Sequence, residues 1–347
     1  MLKQVSMNIL SVIHRNPIVF VLLFMTLMSC NNTEIGTLKN DQIPEEIRTE
    51  IQSLNRMFMS AVADHDEQKM MLLLSDDLGG AVGESLHTFM KQAATSVDDM
   101  GFSVFDEYYT VNGSDSMETT IISGTELNDY SITFKALNAE MYTALISPNK
   151  EGDQRVFTLI YGRFGDKWKL NIIQFGRLQV AGKTAIEHYQ MAQKMLEDGN
   201  TLAATHHMAL ADRCKKPANK YWSYNEQATL DDFYHTVIEH AREELPVPYV
   251  YEDIPSNPEV FSISPQPMDG MICSMVRYKT DVALDDTIGL EIENRFIQLE
   301  IAKTYPGIDQ GVSHIFYRAF NEYPVDNQNT PYFGFVQEVD TTMKPSI

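Results

Sequence analysis

Cysteine and positive charge are both scarce in this chain. Its 347 residues include 3 cysteines and 2 tryptophans, and 27 Lys and Arg stand against 48 Asp and Glu, a formal net charge of −21. So few cysteines exclude a disulfide-rich scaffold. A chain of this charge repels phosphate backbones, and no basic stripe is visible along the sequence, so we expect no nucleic-acid partner.

Several catalytic signatures are also missing. The sequence has no G-x-S-x-G elbow and no H-E-x-x-H pair, and the loop-like glycines Gly79 and Gly80 lack the lysine of a phosphate-binding loop. His235 and Glu239 could face one way on a helix, but a metal would need a third ligand. We therefore expect neither a cofactor nor a metal.

The chain begins with a basic and then an apolar stretch. Lys3 and Arg15 precede an apolar run that extends from Ile18 to Met28. This run is shorter than the roughly 20 residues that a membrane-spanning helix needs. A cleaved secretory signal over residues 1–29 is therefore a better interpretation than a permanent transmembrane anchor.

The end of this run, Leu27, Met28, Ser29 and Cys30, resembles the lipobox of bacterial lipoproteins. The resemblance implies that Cys30 becomes the first residue of the mature protein and carries the lipid that attaches it to a membrane. The alternative is an ordinary signal with a chance cysteine. Because no acidic run follows Cys30, we expect a cell-envelope protein that faces the periplasm.

The two other cysteines, Cys214 and Cys273, would lie in an oxidising compartment. An even number permits a disulfide between them. Two separate buried thiols are the favoured alternative, because a disulfide framework usually needs more cysteines.

Hydrophobic periodicity predicts an α+β fold. Residues 30–42 are polar and predict a tether. Ile47, Ile51, Leu54, Phe58 and Val62 then form one helical stripe, and from Phe102 the period changes to that of strands, with a tight hairpin at Gly165 and Asp166.

Helices followed by a long antiparallel meander over residues 43–180 resemble the nuclear-transport-factor-two-like (SnoaL-like) cone fold. The closest local likeness is the helical stretch 58–67, in which Asp64, His65 and Asp66 form an acidic break, followed by the leucine-rich stretch 72–78. The resemblance implies a sheet curled around a pocket, and it does not determine a function.

Residues 184–245 return to helical periodicity. Tyr189, Ala192, Ala204, Met208 and Ala211 resemble the large and small positions of a tetratricopeptide helix pair. One repeat cannot bury its own faces, so the helix of residues 230–245 is expected to cover it.

Residues 246–347 predict a small α+β domain in which one helix covers an antiparallel sheet. The apolar residues assigned to that helix are Ile288, Ile292, Phe296, Leu299 and Ala302.

Two sets of residues are candidate sites. His65 between two carboxylates could act as a general base, although Asp and His at a helix break more simply cap the next helix. Tyr109, Tyr161 and Trp168 could line a pocket in the cone, although aromatics at strand spacing usually pack in a core.

These patterns favour a non-catalytic, lipid-anchored binding module for a small ligand or an envelope protein partner. An enzyme acting on a small molecule in the cone pocket and a structural spacer of an envelope assembly are the alternatives.

Overall fold

The computed structural model describes residues 35–97, 101–125, 127–149, 153–268, 270–325 and 329–339. Within these ranges eight α-helices combine with three β-sheets, so the predicted α+β class is confirmed. The described residues from Thr37 to Val339 belong to one compact unit. None of the helices in these ranges has the length and apolar character needed to cross a bilayer. The signal segment and Cys30 lie outside the described residues.

Four helices pack on the first sheet, and the predicted stripe of the first helix faces that core. Ile51, Phe58 and Val62 are fully buried. Gly79 and Gly80, expected in a loop, lie inside a helix instead, because the Ser75 hydroxyl caps it by accepting the Leu78 N–H. The helices are α1 (Glu45–Ala63), α2 (Glu67–Leu73), α3 (Asp76–Val82) and α4 (Ser85–Ala94).

The strands of this region form the first sheet in the order β1-β2-β5-β6-β7, while β3 and β4 belong to a second sheet. The predicted hairpin is confirmed: Phe164 pairs with Lys167, and Gly165 between them has a φ of 63°, which suits glycine. The strands are β1 (Gly36–Lys39), β2 (Phe102–Val111), β3 (Glu118–Ile122), β4 (Tyr130–Lys135), β5 (Glu140–Pro148), β6 (Arg155–Phe164) and β7 (Lys167–Arg177).

A helical block follows, and it shares its core with the second sheet. Ala192, Ala204 and Ala211 have no exposed surface, so the first two helices approach closely where side chains are short. One hydrophobic cluster extends from Tyr108 to Val237, so the boundary expected near residues 180–184 passes through a common core. The likeness to a tetratricopeptide pair stays a prediction. The elements are α5 (Ala185–Glu197), α6 (Thr201–Cys214), β8 (Trp222–Tyr224), which pairs with β4, and α7 (Gln227–Glu244).

The C-terminal sheet has the order β13-β12-β11-β10-β9. The prediction of an antiparallel sheet is wrong at one position, because β11 and β12 are parallel. The helix between them returns the chain to the starting end of the sheet, as parallel neighbours require. The elements are β9 (Tyr249–Val250), β10 (Glu259–Met268), β11 (Met271–Lys279), α8 (Thr287–Thr304), β12 (His314–Phe320) and β13 (Phe333–Glu338).

Helix α8 is rotated relative to the expected orientation. It buries Leu290, Ile297 and Ile301 against the sheet, together with the polar Glu293 and Asn294. Oε2 of the buried Glu293 accepts hydrogen bonds from the Ser256 and Thr280 hydroxyls, which offsets part of the cost of burying this carboxylate. The residues predicted to face the core are all exposed: Ile288, Ile292, Phe296, Leu299 and Ala302.

Candidate functional site

The aromatic residues predicted to line a cone pocket are packed in the core instead. Tyr161 is fully buried, and Tyr109 and Trp168 are each 3% exposed. The Tyr161 hydroxyl donates to Asn55 Oδ1 at 2.8 Å, and the ring of Tyr109 packs edge-on against Trp168. Because helix α1 covers this side of the sheet, these side chains fill the space that a hollow cone would leave open.

His65 lies in an exposed turn between α1 and α2 with a φ of 54°. Its neighbours have local roles: Asp64 accepts the Ser60 hydroxyl, and Asp66 caps α2 by accepting the Lys69 N–H at 2.9 Å. Asp66 therefore caps the next helix, as the simpler of the two interpretations predicts. The role of His65 as a base stays a prediction.

Cys214 and Cys273 are both buried free thiols. The structure therefore contains no disulfide between Cys214 and Cys273. Cys214 lies in the core of the helical block with its thiol 3.4 Å from the Leu210 carbonyl oxygen, and Cys273 lies on β11 of the C-terminal sheet. The two residues belong to different elements of the fold.

A cavity of about 320 Å³ lies between the helix pair α5–α6 and the C-terminal sheet. This volume falls at the lower end of the range for small-molecule sites, about 300 to 1,000 Å³. Its walls come from α5, α6, the β10–β11 hairpin and the loop before β12. The apolar lining consists mainly of flexible or branched side chains: Met191, Met195, Leu202, Met271, Ile272, Ile308 and Val312.

One polar group of the cavity wall, His207, belongs to a buried histidine pair with His188. His188 Nε2 lies 2.9 Å from the Val180 carbonyl oxygen, and His188 Nδ1 lies 3.0 Å from His207 Nδ1. A carbonyl can only accept, so His188 donates through Nε2. Burial lowers the pKa of His188, so its Nδ1 is unprotonated and accepts from His207.

This assignment determines what His207 presents to a ligand. Its Nδ1–H is committed to His188. Burial and the nearby His188 and Lys183 lower the pKa of His207 to about 4, so the ring is neutral at pH 7. Its Nε2 is then a hydrogen-bond acceptor, and His207 lines the cavity.

His206 is the second histidine on the cavity wall. It is 5% exposed, and its Nε2 has no hydrogen-bond partner among the described residues. Burial, with a smaller contribution from His207, lowers the pKa of His206 to about 3. An unpaired buried polar atom is costly unless something else satisfies it, which points to a ligand or bound water in the cavity.

Lys183 supplies a positive charge to the wall of the cavity. It lines the cavity and is partly exposed, and within the described part of the chain it forms no ion pair. Its ammonium lowers the pKa values of both His188 and His207, so it lies close to the pair.

Among the described residues, no group of three or more His, Cys, Asp or Glu could hold a metal ion. The one sequence signal for the site was the pair His206 and His207, set among the expected core positions Ala204 and Met208. Two adjacent side chains point about 100° apart on a helix, so a lone pair of this kind cannot share one metal ion. The cavity is wide enough that both line it.

Comparison with protein-family models, with curated proteins and with solved structures found no match to this chain.

Proposed function

We propose that this chain is a lipid-anchored, periplasm-facing envelope protein that holds a small ligand in the cavity between α5–α6 and the C-terminal sheet. The observation that carries the proposal is the unpartnered Nε2 of the buried His206 on a cavity wall that also carries Lys183, which forms no ion pair within the described residues. The ligand has an apolar body, an acidic group for Lys183, an N–H or O–H donor for His207, and a hydrogen-bonding polar atom for His206 Nε2.

The histidines favour binding over catalysis. An efficient general base has a pKa near the working pH. A His207 pKa of about 4 leaves the imidazole a weak proton acceptor, although it remains a good hydrogen-bond acceptor. The methionines on the wall fit this role, because their flexible thioethers adapt to ligands of different shape.

The test uses 1-anilinonaphthalene-8-sulfonate, which combines an apolar ring system, an anion and an N–H donor and fluoresces when bound. We expect Lys183→Gln to raise its Kd about tenfold, the usual effect of losing one charge-assisted contact of about 1.4 kcal/mol. Ala203→Phe should abolish binding, because Ala203 lines the cavity and the added ring fills it.

The matched control is Lys194→Gln. Lys194 is an exposed cation on α5 and does not line the cavity. Equal fluorescence titrations for the parent, Lys183→Gln and Ala203→Phe proteins would mean that the dye binds elsewhere, and the proposed site would then be wrong.

The anchor has a separate test. Cys30→Ser should remove essentially all radioactive palmitate from the protein in labelled cells, because only the thiol of Cys30 can accept the diacylglycerol. Cys214→Ser is the control and should keep the label, since the Cys214 thiol is buried in the core. Label retained by the Cys30→Ser protein would contradict the lipid anchor.

A further inference from the structure

The C-terminal sheet carries two arginines side by side on one face. Arg277 of β11 and Arg318 of β12 are register partners, and the same row continues to Ser262 on β10 and Gly334 on β13. Opposed residues on neighbouring strands share a face. The alternate residues of these strands, Val276, Tyr278, Tyr317 and Ala319, pack in the core with α8. The arginines therefore point away from α8.

The charges of these arginines are not neutralised by the described part of the chain. The ion pairs found there involve neither Arg277 nor Arg318. Arg277 reaches only the hydroxyls of Ser262 and Ser264, at 3.5 and 3.4 Å. Burial together with repulsion from Arg318 and from Arg213 of α6 lowers the pKa of Arg277.

Such an arrangement costs stability. Like charges at opposed strand positions destabilise a sheet, and both arginines are partly buried. In a chain with 48 acidic residues against 27 basic ones, a nearby carboxylate could easily have supplied a partner. Groups kept in an unfavourable state within a fold are commonly those that serve binding.

Aromatic rings extend from Arg318. The Arg318 guanidinium stacks over the ring of Tyr332 at 4.5 Å, and Tyr332 contacts Phe320 at 5.6 Å between ring centroids. Phe261 and Tyr323 continue this series, and Tyr323 and Tyr332 are each about half exposed. Gly334 beside Arg318 carries no side chain that could cover the row.

We propose that this arginine–aromatic face, formed by Arg277, Arg318 and Tyr332, binds a small ligand that carries an oxyanion next to a flat ring. Two planar guanidinium groups match the oxygens of a phosphate or carboxylate, and the half-exposed ring of Tyr332 matches the ring of the ligand. The net charge of −21 repels an extended polyanion, so the occupant is a small molecule with one or two negative charges.

Calorimetric titration of the full-length chain with phenyl phosphate tests the proposal. We expect millimolar or tighter binding, weakened about tenfold or more by Arg277→Gln and by Arg318→Gln, while phenol, which lacks the anion, does not bind. Arg295→Gln is the matched control, because Arg295 is an exposed cation on α8, away from this face. Benzoate serves as a second probe, and whichever anion binds more tightly identifies phosphate or carboxylate as the preferred group.

Two results would overturn the proposal. One is undetectable binding of both anions, or equal affinity in the parent and both arginine variants. The other comes from thermal unfolding without ligand. Because Arg277 repels its neighbours, Arg277→Gln should leave the Tm unchanged or raise it. A clear fall in Tm would show that the arginine row serves the stability of the sheet.

Discussion

Acidification should destabilise this protein through the buried histidines of the cavity. In the unfolded chain a histidine has a pKa of 6.5, whereas in the folded protein the pKa values of His206 and His207 are about 3 and about 4. Between these values the unfolded state binds more protons, so the free energy of unfolding falls as the pH falls. We expect a loss of about 2 kcal/mol for each residue between about pH 7 and about pH 4.5.

Urea unfolding at a series of pH values measures this effect. His206→Gln removes one titrating group, so the slope of the free energy of unfolding against pH should decrease by up to about 1.4 kcal/mol per pH unit below pH 6.5. His235→Gln is the control, because His235 is exposed on α7. Titration of the carboxylates contributes equally to the free energy of unfolding of all three proteins, so this contribution cancels when their pH curves are compared. Parallel curves for the parent and the His206→Gln protein would contradict the burial of an uncharged His206.

Gly176→Ala should destabilise the fold by about 3 kcal/mol, the upper part of the usual range for overpacking. A Cβ at Gly176 on β7 would lie 2.2 Å from the carbonyl oxygen and 2.8 Å from the carbonyl carbon of Pro217. Both are backbone atoms, so the loop after α6 would have to move away from the first sheet. Thermal and urea unfolding of the variant give the change directly.

Gly80→Ala is the matched control for that substitution. Gly80 is exposed within α3, and a Cβ there would meet nothing within 4 Å. Because alanine favours a helix more than glycine does, this variant should be more stable than the parent by about 0.5 to 1 kcal/mol. If both variants unfolded like the parent, the close approach of β7 to Pro217 would be wrong.

Local sequence patterns were sufficient where one interaction decides the local structure. The α1 stripe required only helical periodicity, and the turn at Gly165 required only a residue that tolerates positive φ. They were insufficient where two patterns compete. On α8, the face that packs against the sheet is the one that carries Glu293 and Asn294, and the continuous apolar stripe is exposed. Helical periodicity does not show this, because the hydroxyl partners of Glu293 come from Ser256 and Thr280, outside the helix.

The sequence by itself determined the fold class, the order of most elements and the acidic character that disfavours nucleic acid. Only the tertiary structure decided which side chains meet. His188 faces His207 because α5 and α6 pack side by side, and Arg277 neighbours Arg318 because a helical crossover makes β11 and β12 parallel. Both pairings join residues from different elements. Even where periodicity identifies the buried face of an element, it carries no information about the element packed against that face.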